Sequence, residues 1–435
     1  MNFKIHRGTK EIGGSCVEVW TQSTRILLDF GMPLVEKDGS EFNSRDYENL
    51  PYQKLVEIGV LPNVKGLYDE SEPLIDAVII SHPHKDHYGL TDYIHKNVQF
   101  YMGKATHELI KISNIFTRQN THYEKVAYFE KEETFKVGDI SITPYWADHS
   151  AFDAYMLLVE ANGKSLFYSG DFRGHGRKEK VFKWFTHNAP KGVDYLLLEG
   201  TTIGRNTEPS KTEEEIENEL VKLFKQPDKI NLVYTSGQNL DRLVSVYKAC
   251  LRTKKIMVVD VYVATILEAM SNFGEFPYPS EEYGNIKVMF PYKICRLLNN
   301  GGNEKIMFQF KPFKITREQI NEQYKDVVFL IRDSMKPEID KIPNINGGNF
   351  IYSMWEGYLQ KEKTKKFVDD LLNRDMTMHK IHTSGHADIE TLIKLAKAVE
   401  PKYIVPIHTF NRKDYAAIFP FPVVEANDGE TITIN

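Results

Sequence analysis

The stretch Ile75-Asp76-Ala77-Val78-Ile79-Ile80-Ser81-His82-Pro83-His84-Lys85-Asp86-His87 runs from an apolar pattern straight into a cluster of ligating side chains. Its β-branched first half predicts a central strand covered on both faces. Ser81 ends the run, and three histidines and an aspartate follow within six residues. Neutral imidazole suits zinc, and a carboxylate in the same loop adds an oxygen ligand. His82 and His84 form one short-range pair, Asp86 and His87 another, and a single ion does not take all four comfortably. Two ions about 3.5–4 Å apart divide them, and such pairs activate water and stabilise phosphoryl or acyl transition states. A polar loop with incidental histidines is the competing reading; His rarely clusters this way.

Working outward, the same arrangement of strand then ligand recurs. Ile140 to Tyr145 reads as a strand and leads to His149; Ser165 to Tyr168 leads to Asp171; Tyr195 to Leu198 ends on Glu199; Tyr403 to Pro406 leads to His408. Each residue alone reads better as an ordinary core or surface group, but the repetition favours a site at strand ends. Val17 to Trp20 and Arg25 to Asp29 predict a hairpin near the start. From Lys211 the character changes. Thr212-Glu213-Glu214-Glu215 opens a helix with Ile216, Leu220, Leu223 and Phe224 on one stripe. Strands at Asn231–Tyr234, Ile256–Asp260, Val327–Ile331 and Asn349–Ser353 then alternate with helices, which predicts a doubly wound parallel sheet inserted into another domain. From His379 to Pro401 the pattern is strand, loop and helix again.

Bulk properties set limits. At 435 residues the chain is expected to form about two or three domains. It is 41% hydrophobic and 26% charged, with a net charge of −5, so no global basic excess announces a nucleic-acid partner. Cys16, Cys250 and Cys295 are far apart and odd in number, which argues for reduced thiols and against a zinc–cysteine site. No run of about 18 apolar residues and no signal-peptide core are visible, so the expectation is a cytoplasmic protein without a membrane partner.

His-x-His-x-Asp-His, a distant His149 and Ser169-Gly170-Asp171 together resemble the metallo-β-lactamase superfamily, whose first motif matches Asp29 in Leu27-Leu28-Asp29-Phe30-Gly31. The resemblance covers roughly residues 1–200 and 375–435. Leu198-Glu199-Gly200-Thr201, Ser384-Gly385-His386-Ala387 and Pro406-Ile407-His408 are similar to three motifs of its β-CASP group, and the J-type ribonucleases and RNA 3′-end processing nucleases are closest in pattern. This implies an α/β fold: an αββα sandwich (residues 1–205 and 366–435) with an inserted doubly wound parallel-sheet β-CASP domain (206–365). The further C-terminal domain of the J-type ribonucleases is expected to be absent.

The resemblance also implies a ligand set for two zinc ions, with other divalent metals open. His82, His84 and His149 would hold one, Asp86, His87 and His408 the other, with Asp171 between and Asp29 as a structural support. His386 would protonate the leaving group, oriented by Glu199, and Asp86 would serve the chemistry as a ligand. Candidate substrate contacts are Ser384, Gly385, Ser236, Asn239, Arg242 and Arg173, the last within a basic patch with His175, Arg177 and Lys178. The amides opening the helix after His386 are a further phosphate candidate. The expected activity is hydrolysis of RNA phosphodiesters by a two-metal-activated hydroxide. The alternatives are a metallohydrolase of the same fold acting on DNA or on a small phosphodiester or ester, and an inactive RNA-binding partner. The oligomeric state stays open, a homodimer included.

Overall fold

The computed structural model describes residues 1–36, 39–68, 72–117, 119–205 and 209–435. The chain divides into two compact units: one of residues 1–110, 120–209 and 385–435, the other of 111–119 and 210–384.

The first unit holds two sheets. The seven-stranded one runs Thr431–Thr433, Asn2–Arg7, Cys16–Trp20, Arg25–Leu28, Ala77–Ile79, Gln99–Met102, Val126–Tyr128. The expected hairpin is there, with Val17 opposite Leu28, and the strand before the histidine loop is central and parallel to both neighbours. The six-stranded sheet runs Tyr403–Ile407, Tyr195–Glu199, Lys164–Tyr168, Tyr155–Ala161, Ile140–Trp146, Phe135–Val137. Alternation along each strand builds the layers. Leu28, Ile79, Leu157 and Leu197 meet in the core between the sheets. Leu27, Val78 and Ile80 face Leu55, Tyr88 and Ile110 on one outer side. Leu196 and Leu198 face Phe182, Phe185 and Leu392 on the other. The result is helix, sheet, sheet, helix. Among the described residues no helix is long and apolar enough to cross a membrane. Cys16 and Cys250 are buried and Cys295 half-buried, all unpaired with one another.

The second unit is a six-stranded, all-parallel sheet in the order Ile286–Met289, Ile256–Asp260, Val327–Ile331, Asn231–Tyr234, Asn349–Tyr352, Thr377–Lys380. The helix Glu213–Phe224 starts where its capping box places it: Thr212 accepts from the Glu215 amide while the Glu215 carboxylate returns to the Thr212 amide. Two expectations change here. The expected boundary at 365/366 moves to 384/385. The helix Glu362–Leu372 packs Phe367, Val368 and Leu371 into this sheet's core, and Thr377–Lys380 is its edge strand, not the first strand of the returning domain. The other expected boundary, at 205/206, abuts residues 206–208, which lie outside the described residues.

Arg242 is a second change. It is fully buried, and its guanidinium bonds the equally buried Glu213 carboxylate at 3.0 and 3.1 Å and reaches Ser353. Ser245 donates to the same carboxylate at 2.7 Å. It is therefore a structural ion pair of this unit and not a phosphate contact. Removing one member leaves a buried, uncompensated charge. Arg242→Ala is expected to cost about 3–5 kcal/mol of stability, read as a lower urea midpoint of the transition that melts this unit; an unchanged midpoint would show that the pair holds nothing together.

Candidate metal centre and catalytic site

Every expected ligand comes from a segment following a strand of the first unit. Asp29 sits at the end of Arg25–Leu28 with a left-handed φ of 58° and is fully buried. Its carboxylate accepts from the Ser81 amide, the Ser81 hydroxyl, His87 Nδ1 and the Tyr168 hydroxyl, each at 2.7 Å. A carboxylate only accepts, so His87 must carry its proton on Nδ1. The Ser81 hydroxyl is spent on Asp29, so His82 Nδ1, 3.0 Å away, donates to its oxygen. The Thr201 hydroxyl oxygen lies 2.9 Å from His408 Nδ1 and bonds that ring from outside. In His82 and His87 the Nδ1 proton is thus engaged outward, which leaves Nε2 as the nitrogen that can turn to a cation.

Those nitrogens converge. His82, His84, His149 and Asp171 offer ligand atoms within 4.8 Å of one another, as do Asp86, His87, Asp171 and His408. His84 Nδ1 is 3.1 Å from His149 Nε2, and His408 Nε2 is 3.3 Å from Asp86 Oδ2. Asp171 Oδ2 lies 3.2 Å from His87 Nε2 and 3.7 Å from His82 Nε2. Yet His82 Nε2, His87 Nε2 and both Asp171 oxygens are buried and make no hydrogen bond. Orphaned buried groups of this kind are costly, and the cost disappears when a cation takes the lone pairs. Both clusters therefore fit a divalent metal. Burial keeps His82, His84 and His149 neutral, as ligands must be. Burial alone would raise Asp171, but His408, His87 and His386 hold its carboxyl well below the usual range.

His386 joins a third group with Asp171, Glu199 and His408. Its Nδ1 is 3.3 Å from Glu199 Oε1 and 3.7 Å from Asp171 Oδ2. Burial opposes a charge on this ring, but Glu199 first and Asp171 next raise its pKa to about 9. Glu199 is held by the Phe172 and Thr201 amides at 3.3 and 3.1 Å. Gly385 is needed beside it, since a Cβ there would meet Ser150 Oγ at 2.7 Å.

Several substrate expectations are corrected by the same geometry. Arg173 is fully buried; its amide donates to the Asp148 carbonyl at 2.6 Å, and its Nε lies 3.7 Å from the Asp148 carboxylate. Lys178 donates to the His149 carbonyl at 2.9 Å, and His175 is buried. Arg173 and Lys178 thus brace the loop around His149, and the buried Arg173 and His175 take no part in a surface basic patch. At the start of the helix Ile389–Val399 the Thr391 amide is taken by the Asp388 cap at 2.9 Å, so a phosphate there would meet a carboxylate. In the second unit, Asn239 caps the helix Leu240–Thr253 by accepting from the Arg242 amide at 3.1 Å, and Ser236 stays half-buried in the preceding loop. Ser384 is the last residue of that unit. Sequence reasoning missed Ser81, Tyr168 and Thr201 as supports of the ligands. The signal was there: Ser81 and Tyr168 stand at or just after the end of a strand whose loop carries a ligand, and Thr201 stands two residues after Glu199.

Comparison with known proteins follows the geometry. Residues 61–226 match a family described as a β-lactamase superfamily domain, and residues 372–416 one described as a Zn-dependent metallo-hydrolase RNA specificity domain. The chain is 23% identical over 412 residues to ribonuclease J of Helicobacter pylori, covering 92% of this chain and 55% of that protein. It is 22% identical over 414 residues to ribonuclease J of Mycoplasma genitalium, covering 92% and 66%. The chain thus spans little more than half to two thirds of these relatives. A crystal structure of a protein of unknown function from Enterococcus faecalis has the same fold, with a TM-score of 0.77 at 22% identity over 99% of both chains.

The Asp29 network gives a direct test. Asp29→Ala releases His87 Nδ1 and Ser81 together, and outer partners of this kind are worth about 10–100-fold in metal affinity. Metal titration of the stripped protein is expected to show that loss at one site at least; unchanged affinity would mean the ring orientations are set elsewhere.

Proposed function

We propose that the chain, which is similar to the β-lactamase superfamily over residues 61–226 and to ribonuclease J over most of its length, is a β-CASP-type member of the metallo-β-lactamase superfamily and a zinc-dependent nuclease hydrolysing phosphodiester bonds of RNA in the cytoplasm. The observation that carries this reading is Asp171: one buried carboxylate, with both oxygens lacking hydrogen bonds, shared by two ligand clusters. The inserted parallel-sheet unit is then the β-CASP domain. The choice of RNA draws support from the match over residues 372–416, which contains His386 and His408.

His82, His84 and His149 would hold one ion and Asp86, His87 and His408 the other, with Asp171 common to both. Bound there, the pair supplies the acidity that makes a water nucleophilic near neutral pH and the positive charge that non-bridging phosphate oxygens need. The rest falls to side chains. His386, fixed at Nδ1 by Glu199, carries on Nε2 the proton that the departing 3′-oxygen requires. As the P–O3′ bond breaks and the water oxygen bonds to phosphorus, that proton passes to O3′ and leaves a 5′-phosphate on the other fragment. Glu199 acts through His386 as a positioning residue, stabilising the imidazolium and holding its orientation.

Two variants separate the roles. Asp86→Ala is expected to lower metal content and abolish cleavage of labelled RNA, because it removes a ligand. Chelation should do the same, with added zinc restoring the unmodified protein; cleavage that survives chelation would sink the metal mechanism, and a metal-loaded chain that cuts single-stranded DNA but not RNA would transfer the activity to DNA. His386→Ala is expected to retain both metals while kcat falls about 10²–10⁴-fold, the usual worth of a positioned proton donor. Loss of metal in this variant would make His386 a ligand instead of an acid.

A further inference from the structure

The second unit carries a segment whose chemistry the metal site does not use. Between the strands Ile286–Met289 and Val327–Ile331 lie two short helices, Tyr292–Asn300 and Glu304–Phe310, packed on each other. Each buries one residue only, Leu298 and Phe310 respectively. Within residues 290–317, Lys293, Arg296, Lys305, Lys311, Lys314 and Arg317 are set against the single carboxylate of Glu304. That local excess of five positive charges stands in a chain whose net charge is −5.

Three further observations bear on what this surface meets. Among the described residues none of the six cations is paired with a carboxylate, although lysines elsewhere commonly are, as Lys191 is with Glu400 and Lys336 with Asp340. All but Arg317 are exposed. The two most exposed large apolar side chains among the described residues are also here: Tyr292 at 71% and Phe308 at 64%. Lys314 lies over the half-buried Phe290 ring, 5.6 Å from its centroid.

Exposed rings interleaved with unpaired cations are the makings of a single-strand nucleic-acid surface: bases stack on the rings and phosphates meet the cations. A protein partner fits less well, because interface cores are depleted in lysine. We infer that the helix pair Tyr292–Asn300 and Glu304–Phe310, with the Lys311–Arg317 stretch, is a docking surface for single-stranded RNA, stacking bases on Tyr292 and Phe308. The inference rests on the reading of RNA as substrate, and it adds a surface that holds the strand by its backbone and bases with side chains other than those of the metal site.

The test is fluorescence anisotropy with a labelled single-stranded RNA about 30 nucleotides long, the 435-residue chain and chelator present, so that no cleavage intervenes. Y292A/F308A is expected to weaken binding at least about tenfold, given the worth of a base–aromatic stack. K305E/K311E/K314E is expected to flatten the slope of log Kd against log salt by about 2. Both variants alter exposed positions, and unchanged melting temperatures confirm that they fold. Unchanged affinity and salt slope in folded variants would overturn the inference. So would an unmodified chain that binds no RNA, or a Y292A/F308A variant that changes oligomeric state in light scattering while binding RNA normally, since that assigns the rings to a protein contact. An unmodified chain that binds RNA with the expected variant losses but cuts none supports this surface and fails the nuclease reading alone.

Discussion

One carboxylate holds the active centre in shape. Asp29 ends a strand of the first sheet, Ser81 follows the adjacent strand, and Tyr168 ends a strand of the second sheet, so its four accepted hydrogen bonds tie both sheets to the histidine loop. The consequence is chemical as well as mechanical. By fixing protons on His87 Nδ1 and, through Ser81, on His82 Nδ1, a buried anion outside the ligand shell decides which nitrogens face inward. Gly31 completes the arrangement, because any Cβ there would collide with the Asp86 carbonyl. The loop can pass Asp29 closely only because that position has no side chain.

Clustering five histidines and two carboxylates around so small a space has a cost that the fold alone does not recover. Lone pairs of His82, His87 and Asp171 are buried without hydrogens pointed at them. Unsatisfied buried groups of this kind typically cost about 1–3 kcal/mol each. A cation reverses the sign of that contribution, so metal affinity and stability of the first unit are linked. The strained backbone belongs to the same account. Asp29 and His408 both hold left-handed φ angles, 58° and 55°, a conformation that side-chain-bearing residues adopt at the expense of about 1–3 kcal/mol. His408 persists there because its amide donates to the Gly8 carbonyl at 2.7 Å and its ring meets Thr201.

What the sequence disclosed follows from how local each signal is. His82 to His87 was legible because its ligands sit within one loop after an apolar strand. His149, Asp171, Glu199 and His408 were legible because each repeats that arrangement, and His386 through its motif. The arginines were misread for a physical reason: arginine is usually at the surface, and nothing near Arg242 in sequence announces that Glu213 and Ser353 will enclose it. Arg173 was misread in the same way, its partner Asp148 lying across a strand pair. The strand Thr377–Lys380 was placed in the wrong unit because its own sequence carries no sign of which strand it pairs with. Its assignment depends on pairing with Asn349–Tyr352, a long-range fact.

The position of His386 follows from how the chain returns to the first unit. It is the second residue after the chain leaves the second unit, and its neighbour Gly385 runs against Ser150 with no space for a side chain. Two residues further on, Asp388 caps the helix Ile389–Val399, whose Leu392, Leu395 and Val399 are locked into the outer core of the second sheet. Thr202 donates to the Ala387 carbonyl, tying this turn to the loop that begins at Glu199. The imidazole is therefore held from three directions: by a capped helix behind it, by a glycine in front, and by Glu199 at Nδ1. A ring fixed this firmly would lose little freedom on transferring a proton, which is the physical advantage of placing it just ahead of a capped helix start.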